Sequence, residues 1–172
     1  MPENESVKEK IEKMGYKIVY VPHEAMENYN ACYRVRYRGR TIFPPAADKL
    51  RIPLNEIWIS KKWKEFDEHI LYHELREIQH RAEGHSVNEA HRLASKNVKE
   101  KFRGDPKHER LLREINIASK ETLMELAGVD EDLFQEIKEN RPYHKIDELV
   151  ERIPSIERRI FERIKEHFWC IS

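Results

Sequence analysis

Two amphipathic runs lie next to each other in the middle of the chain, with a single glycine between them. Apolar residues recur every three or four positions from Trp63 to Ile78, which predicts a helix that ends before Gly84. Ser86 opens a capping-box motif, which predicts the start of a second helix that continues through Val98. Because so few residues are left for the turn, the two helices must pack against each other as a helical hairpin.

Short strand patterns come before this hairpin and predict a small antiparallel sheet. The predicted strands are 16–21, 31–37, 41–43 and 56–60. Residues 31–37 alternate strictly between two faces, and Gly39 supplies the turn to the next strand. A sheet beside a helical hairpin predicts an α+β fold for this part of the chain.

A charged turn near residue 104 predicts a boundary between two domains. The stretch 103–107, Arg-Gly-Asp-Pro-Lys, combines helix-stopping and turn-forming residues. Residues 1–104 carry 20 basic and 16 acidic side chains, and residues 105–172 carry 12 basic and 16 acidic ones. We therefore predict an N-terminal α+β domain over 1–104 and an all-α domain over 110–172, with net charges of opposite sign.

Composition argues against a membrane or secreted protein. Charged residues make up 37% of the chain, and no apolar run approaches the roughly 18 residues that a membrane span needs. The segment Met1-Pro2-Glu3-Asn4-Glu5 lacks the basic and apolar regions of a signal peptide. We therefore expect a cytoplasmic protein without membrane contact. Only two glutamines accompany many Glu, Lys and Arg, which is typical of thermophile proteins.

Five histidines fall within residues 69–91, around the predicted hairpin. His73 and Glu77 share one helix face because an offset of four residues is close to one turn. His80 shares that face but lies about 10 Å along the axis, so it is an alternate ligand or a supporting residue. The turn brings His91 beside Glu77. The predicted metal ligands are therefore His73, Glu77 and His91, whereas His69 and His85 are expected to be solvated.

This donor set suits a divalent transition metal, zinc first and iron or manganese next. Such a metal lowers the pKa of a bound water, and Glu74, adjacent to the first ligand, is the predicted general base. The alternative is a charged helix whose polar face is solvated and stabilised by pairs of residues four positions apart.

A family resemblance rests on these residues. The segment Tyr72-His73-Glu74-Leu75, preceded by two apolar residues, a strand and an acid-rich stretch, resembles the minimal zincin core of metallopeptidases, such as those that cleave phage repressors. The resemblance covers about residues 55–95 and implies a metal-dependent hydrolase. Zincins read His-Glu-x-x-His, and this chain has Glu77 in place of the second histidine. A carboxylate can still be a ligand, but its charge makes the metal a weaker Lewis acid.

Residues 115–168 resemble the tandem helix-hairpin-helix domain of DNA-uptake competence proteins. The matching hairpins are 128–130 and 153–157, joined by the connector 141–149. That family has Gly-hydrophobic-Gly hairpins, which let backbone N–H groups approach a phosphate. Here carboxylates replace some of these glycines and weaken duplex binding, so a packing or protein-interaction module is the alternative. The residues that the resemblance implies for nucleic-acid contact are Gly128, Arg141, Lys145, Arg158 and Arg159.

Basic side chains also line one predicted strand, and we call Arg34, Arg36 and Arg38 the arginine face. Their spacing of about 6.6 Å is near the phosphate repeat of a nucleic-acid strand, and Arg40 follows after the turn. Such charges can equally protect a sheet from edge-to-edge aggregation. Two functions thus remain open: a metal-dependent hydrolase acting on protein or nucleic acid, and a non-catalytic nucleic-acid-binding or adaptor protein.

Overall fold

The protein is described by a computed structural model, in which residues 5–172 are described; Met1–Asn4, most of the N-terminal segment considered above, lie outside the described residues. The chain divides into two compact units, Met1–Arg103 and Gly104–Ser172. The first unit combines helices with a sheet, and the second is mostly helical. Within 5–172, every helix falls short of the length or the apolar character that crossing a membrane requires.

A four-stranded mixed sheet forms the centre of the first unit. Its strands are β1 (Lys17–Val21), β2 (Ala31–Tyr37), β3 (Arg40–Ile42) and β4 (Glu56–Ser60), in the order β1-β4-β2-β3. β2 is antiparallel to both β3 and β4, whereas β1 and β4 run parallel. The prediction of an antiparallel sheet is therefore wrong for that pair. The alternation of side chains along a strand shows which face of the sheet each residue occupies. It does not show strand direction, because parallel and antiparallel strands alternate in the same way.

Helices α1 (Val7–Lys13), α2 (Ala46–Leu50), α3 (Asp67–Ala82) and α4 (Val87–Lys101) accompany the sheet. The helical pattern predicted from Trp63 begins as a separate 3-10 helix, Lys61–Phe66, and α3 starts after it. Leu71, Leu75 and Ile78 of α3 are fully buried against the sheet. Each such side chain contributes about 1.5–3 kcal/mol when buried, which holds α3 in place.

The turn between α3 and α4 lies where the sequence predicts it. Gly84 has a φ of +105°, a left-handed conformation that glycine adopts without a steric penalty. The hydroxyl of Ser86 accepts a hydrogen bond of 3.2 Å from the N–H of Glu89 and caps α4. The helical hairpin predicted around residues 84–86 is confirmed.

The second unit contains α5 (Pro106–Leu112), α6 (Lys120–Ala127), α7 (Glu131–Glu139), α8 (Glu148–Arg152) and α9 (Arg158–His167). Its core includes Leu123, Tyr143 and Ile164, all fully buried. A helix precedes and follows each of the two predicted hairpins. The carboxylate of Asp130 accepts a hydrogen bond of 2.8 Å from the N–H of Leu133. Asp130 is therefore the N-cap of α7, and its own carboxylate occupies the end of the helix where a phosphate would bind.

Candidate metal centre

Three potential ligand atoms from α3 and α4 meet, and we call His73, Glu77 and His91 the first triad. Nε2 of His73 lies 3.4 Å from Oε2 of Glu77 and 3.1 Å from Nδ1 of His91. The same His91 nitrogen lies 3.3 Å from Oε2 of Glu77. The structure therefore brings the three predicted ligands together in a nearly equilateral triangle.

The size of this triangle fits a four-coordinate metal. Bonds of about 2.0–2.1 Å at tetrahedral angles place neighbouring ligand atoms about 3.3 Å apart. All three edges of the first triad are close to that distance. Hydrogen bonds alone satisfy such a triangle poorly, because one proton cannot point along two edges at once. A cation at the centre would use all three lone pairs.

The first triad extends from the core to the solvent. The side chains of Glu77, His73 and His91 are 7%, 19% and 65% exposed. Packing therefore holds the first two ligands, while the third leaves a route from solvent to the triangle. Three protein ligands of a tetrahedral site also leave one position for a water or a substrate atom.

Tyr33 on β2 orients the carboxylate of the first triad. Its buried hydroxyl donates a hydrogen bond of 2.8 Å to Oε1 of Glu77, so that Oε2 faces the two histidines. Burial by itself raises the pKa of Glu77, but the hydrogen bonds from His73 and His91, the charge of His73 and the hydrogen bond from Tyr33 together lower that pKa to about 2. Burial, followed by the charge of Glu77, raises the pKa of Tyr33, so the hydroxyl keeps its proton as the donor.

Glu74, the predicted general base, lies on the buried face of α3 and is 7% exposed. Burial, and after it the negative charge of Glu77, raise the pKa of Glu74 well above its ordinary value. Glu74 follows His73 directly and precedes Glu77 by less than one helical turn. It is thus a buried carboxyl within electrostatic reach of the first triad.

His80 belongs to a different cluster, which we call the second triad: His80, Glu83 and His85. One ligand atom from each lies within 4.8 Å of the others. His80 is predicted as an alternate ligand or supporting residue of the first triad. The structure does not place it there, because about two helical turns separate His80 from His73. The expectation that His69 is solvated is wrong, since it is 3% exposed and its ring centroid lies 4.3 Å from that of Phe102.

The three residues of the arginine face do not share one strand, because β2 ends before Arg38. Arg34 donates hydrogen bonds of 2.7 Å to the carbonyl of Ile52 and to the carboxylate of Asp48. Arg38 lies beyond β2, in the turn, with a φ of 50°. The prediction that three arginines align on one strand face is therefore wrong for Arg38. Only Arg36 is both on the strand and exposed.

The predicted nucleic-acid contacts of the second unit have different surroundings. Arg141 donates hydrogen bonds of 3.1 Å and 2.7 Å to the carbonyls of Ile115 and Ala118. These bonds hold the guanidinium of Arg141 against the backbone of its own unit. The predicted phosphate contact is therefore not expected for Arg141. Gly128 ends α6 with a φ of 74°. The remaining predicted contacts are exposed: Lys145, Arg158 and Arg159.

Comparisons of the chain with models of protein families, with curated proteins and with solved structures found no match. The resemblances to zincins and to helix-hairpin-helix domains therefore stay predictions. What the structure adds is two histidine–glutamate triads whose ligand atoms are close enough to hold a metal ion.

Proposed function

We propose that the protein is a metal-dependent hydrolase whose metal is held by His73, Glu77 and His91. The observation that carries this proposal is the triangle of ligand atoms with edges of 3.1, 3.3 and 3.4 Å. Two imidazoles and one carboxylate with a remaining open position form a donor set of catalytic zinc sites. We therefore expect zinc, with iron or manganese as the next choices.

In this proposal, Glu74 and Tyr33 each have a specific role beside the first triad. A divalent metal held by His73, Glu77 and His91 would supply the Lewis acidity that makes a water molecule more acidic. Glu74, the buried carboxyl next to these ligands, would accept the proton of the attacking water. Tyr33 keeps the Glu77 carboxylate turned toward the histidines.

The substrate class follows from the resemblance stated above. The His-Glu pair on a helix after a strand resembles metallopeptidases, so a peptide bond is the first bond to test and a nucleic-acid phosphodiester the second. Glu77 brings one more negative charge than the histidine of zincins. We therefore expect slower hydrolysis than a site with three neutral ligands would support, because a more anionic donor set lowers the Lewis acidity of the metal.

Elemental analysis of the full chain tests the metal. Protein purified without chelators should contain zinc, and His73→Ala and His91→Ala should each lose about one equivalent relative to the wild type. His144→Ala is the matched control, because it removes an exposed imidazole of the second unit. Retention of the full metal content by both triad variants would exclude the site.

An activity assay tests the hydrolase. Cleavage of an unstructured protein such as casein should stop after dialysis against a chelator and return when zinc is added back. If metal-loaded protein cleaves neither casein nor single-stranded nucleic acid, the metal is present without the proposed hydrolysis.

A second candidate function is nucleic-acid or acidic-partner binding without catalysis, and one observation favours it. Arg36, Arg38 and Arg40 are all exposed on the β2–β3 hairpin of the first unit. Clustered guanidinium groups bind phosphate through charge and geometry. Metal-free protein that binds labelled DNA in a salt-dependent way would favour this function over the hydrolase.

A further inference from the structure

The turn between α3 and α4 has the hydrogen bonds of a Schellman motif. The N–H of His85 donates to the carbonyl of His80 at 3.2 Å, and the N–H of Gly84 donates to the carbonyl of Arg81 at 3.0 Å. This motif folds the chain back so that the side chains at its two ends meet, frequently as an apolar pair. Here both ends are histidines, with Glu83 between them.

His80 is already oriented as a metal ligand would be. Its side chain is 12% exposed, and Nε2 lies 2.7 Å from Oδ1 of Asn97. That Asn97 atom also accepts a hydrogen bond from Nε of Arg76, which can only donate, so it is the amide oxygen. Nε2 of His80 therefore carries the ring proton, and Nδ1 has the lone pair. Metal-binding histidines usually donate their other ring N–H in this way.

Nδ1 of His80 is a buried nitrogen without a hydrogen-bond partner among residues 5–172. A carboxylate oxygen of Glu83 lies 3.9 Å from it, and the His85 ring centroid lies 5.8 Å from that of His80. A buried acceptor without a partner costs free energy unless a donor or a cation satisfies it. A cation between these three side chains would satisfy it.

The other two members of the second triad offer ligand atoms within 4.8 Å of that of His80. The side chains of Glu83 and His85 are 52% and 35% exposed, so both reach solvent beside His80. Nδ1 of His85 contacts the carboxylate of Glu89. That contact leaves Nε2 of His85 as the nitrogen available to an ion.

We propose that His80, Glu83 and His85 form a second divalent-metal site, with Asn97 as the residue that positions His80. Its ligands are two imidazoles and a carboxylate, so it takes zinc and accepts cobalt(II) as a spectroscopic substitute. The ion links His80, in the last turn of α3, to His85 in the turn before α4, and it stabilises the helical hairpin. The second site is independent of the proposed hydrolase activity of the first triad.

Cobalt(II) titration of the full chain, followed by visible absorption, tests the second site. The starting protein carries His73→Ala and His91→Ala, which removes the first triad. It should still bind about one equivalent of cobalt(II), and its Tm should rise on binding, because an ion that binds only the folded state stabilises it. Adding His85→Ala should abolish both effects, whereas adding His144→Ala should leave them unchanged. His85 lies in the turn and is partly exposed, so its removal spares the core.

Asn97→Ala in the same background is a second measurement. It should weaken cobalt(II) binding about 10- to 100-fold, as losing the partner of a ligating histidine does. Asn97→Asp should preserve binding, because a carboxylate also accepts the Nε2 proton.

The two sites can fail separately in these titrations. If the starting double variant binds no cobalt(II) while the wild type binds about one equivalent, the second site is refuted and the first stands. If the double variant binds as much as the wild type and His85→Ala abolishes binding, the second site stands and the first is refuted. Cobalt(II) that stays bound after His85→Ala is added to the double variant would overturn the second site, because other residues must then hold the ion.

Discussion

The hydroxyl of Tyr33 on β2 donates a hydrogen bond of 2.8 Å to Oε1 of Glu77 on α3. This bond connects the sheet to the helix that carries two of the three ligands of the first triad. It leaves Oε2 as the atom that faces His73 and His91. The core of the first unit therefore sets the orientation of the candidate metal ligand.

Replacing this tyrosine should weaken the metal site without removing a ligand. Tyr33→Phe leaves Oε1 of Glu77 without its donor, so we expect zinc affinity to fall about 10- to 100-fold in a competition titration with a chromophoric chelator. Tyr16→Phe is the matched control. It removes another buried hydroxyl of the same core, which donates to the carbonyl of Arg36 at 2.8 Å. Equal zinc affinities of the two variants would show that Tyr33 does not position Glu77.

Glu74→Gln should separate metal binding from turnover. The amide keeps the size of the side chain but cannot accept a proton from water, so hydrolysis should fall at least about 100-fold while the zinc content is unchanged. Glu77→Gln, on the same helix, should instead lose metal because it alters a ligand. A Glu74→Gln protein with wild-type turnover would remove Glu74 from the mechanism.

The helical hairpin and its ligands could be predicted because their signals are local. The period of apolar residues defines the buried face of α3, and Gly84 and Ser86 mark the turn. An offset of four residues places His73 and Glu77 on one face whatever surrounds the helix. His91 required only the further step that two helices joined by a short turn pack together.

What the sequence could not show depends on contacts between distant elements. Tyr33 could be assigned to a face of β2, but not to Glu77, because that pairing depends on how the sheet meets α3. The burial of His69 likewise depends on Phe102, at the far end of α4. The sequence predicts a solvated His85 and therefore no second triad, although Gly84 before it is the signal for a turn that folds back onto His80.

Glu114 in the second unit should make stability depend on pH. It is fully buried and accepts hydrogen bonds from the backbone N–H groups of Asn116 and Ile171. Burial, the largest cause, raises its pKa above the ordinary 4.5 despite these bonds. The folded state therefore binds the proton more tightly than the unfolded state. As a result, the second unit loses stability as the pH rises from about 4.5 through the raised pKa, and the loss is constant at higher pH.

Hydrogen exchange of the Ile115 amide can measure this effect, since that N–H donates to the carbonyl of Trp169 within the second unit. After correction for intrinsic exchange, its protection should decrease over that pH range by about 1.4 kcal/mol per unit of pKa shift. Glu114→Gln should remove the slope, because an amide does not titrate. The same slope in wild type and variant would assign the pH dependence to another group.

Any affinity for nucleic acid should come from the exposed arginines of the β2–β3 hairpin. Arg36→Ser combined with Arg38→Ser should reduce the salt slope of binding to a fluorescent DNA duplex by about 2, close to one counterion per lost phosphate contact. Arg34→Ser is the internal comparison. It should leave the slope unchanged and lower stability, because Arg34 is held by the carbonyl of Ile52 and by Asp48. If Arg158→Ser with Arg159→Ser reduces the slope and the hairpin pair does not, the second unit is the DNA-binding surface.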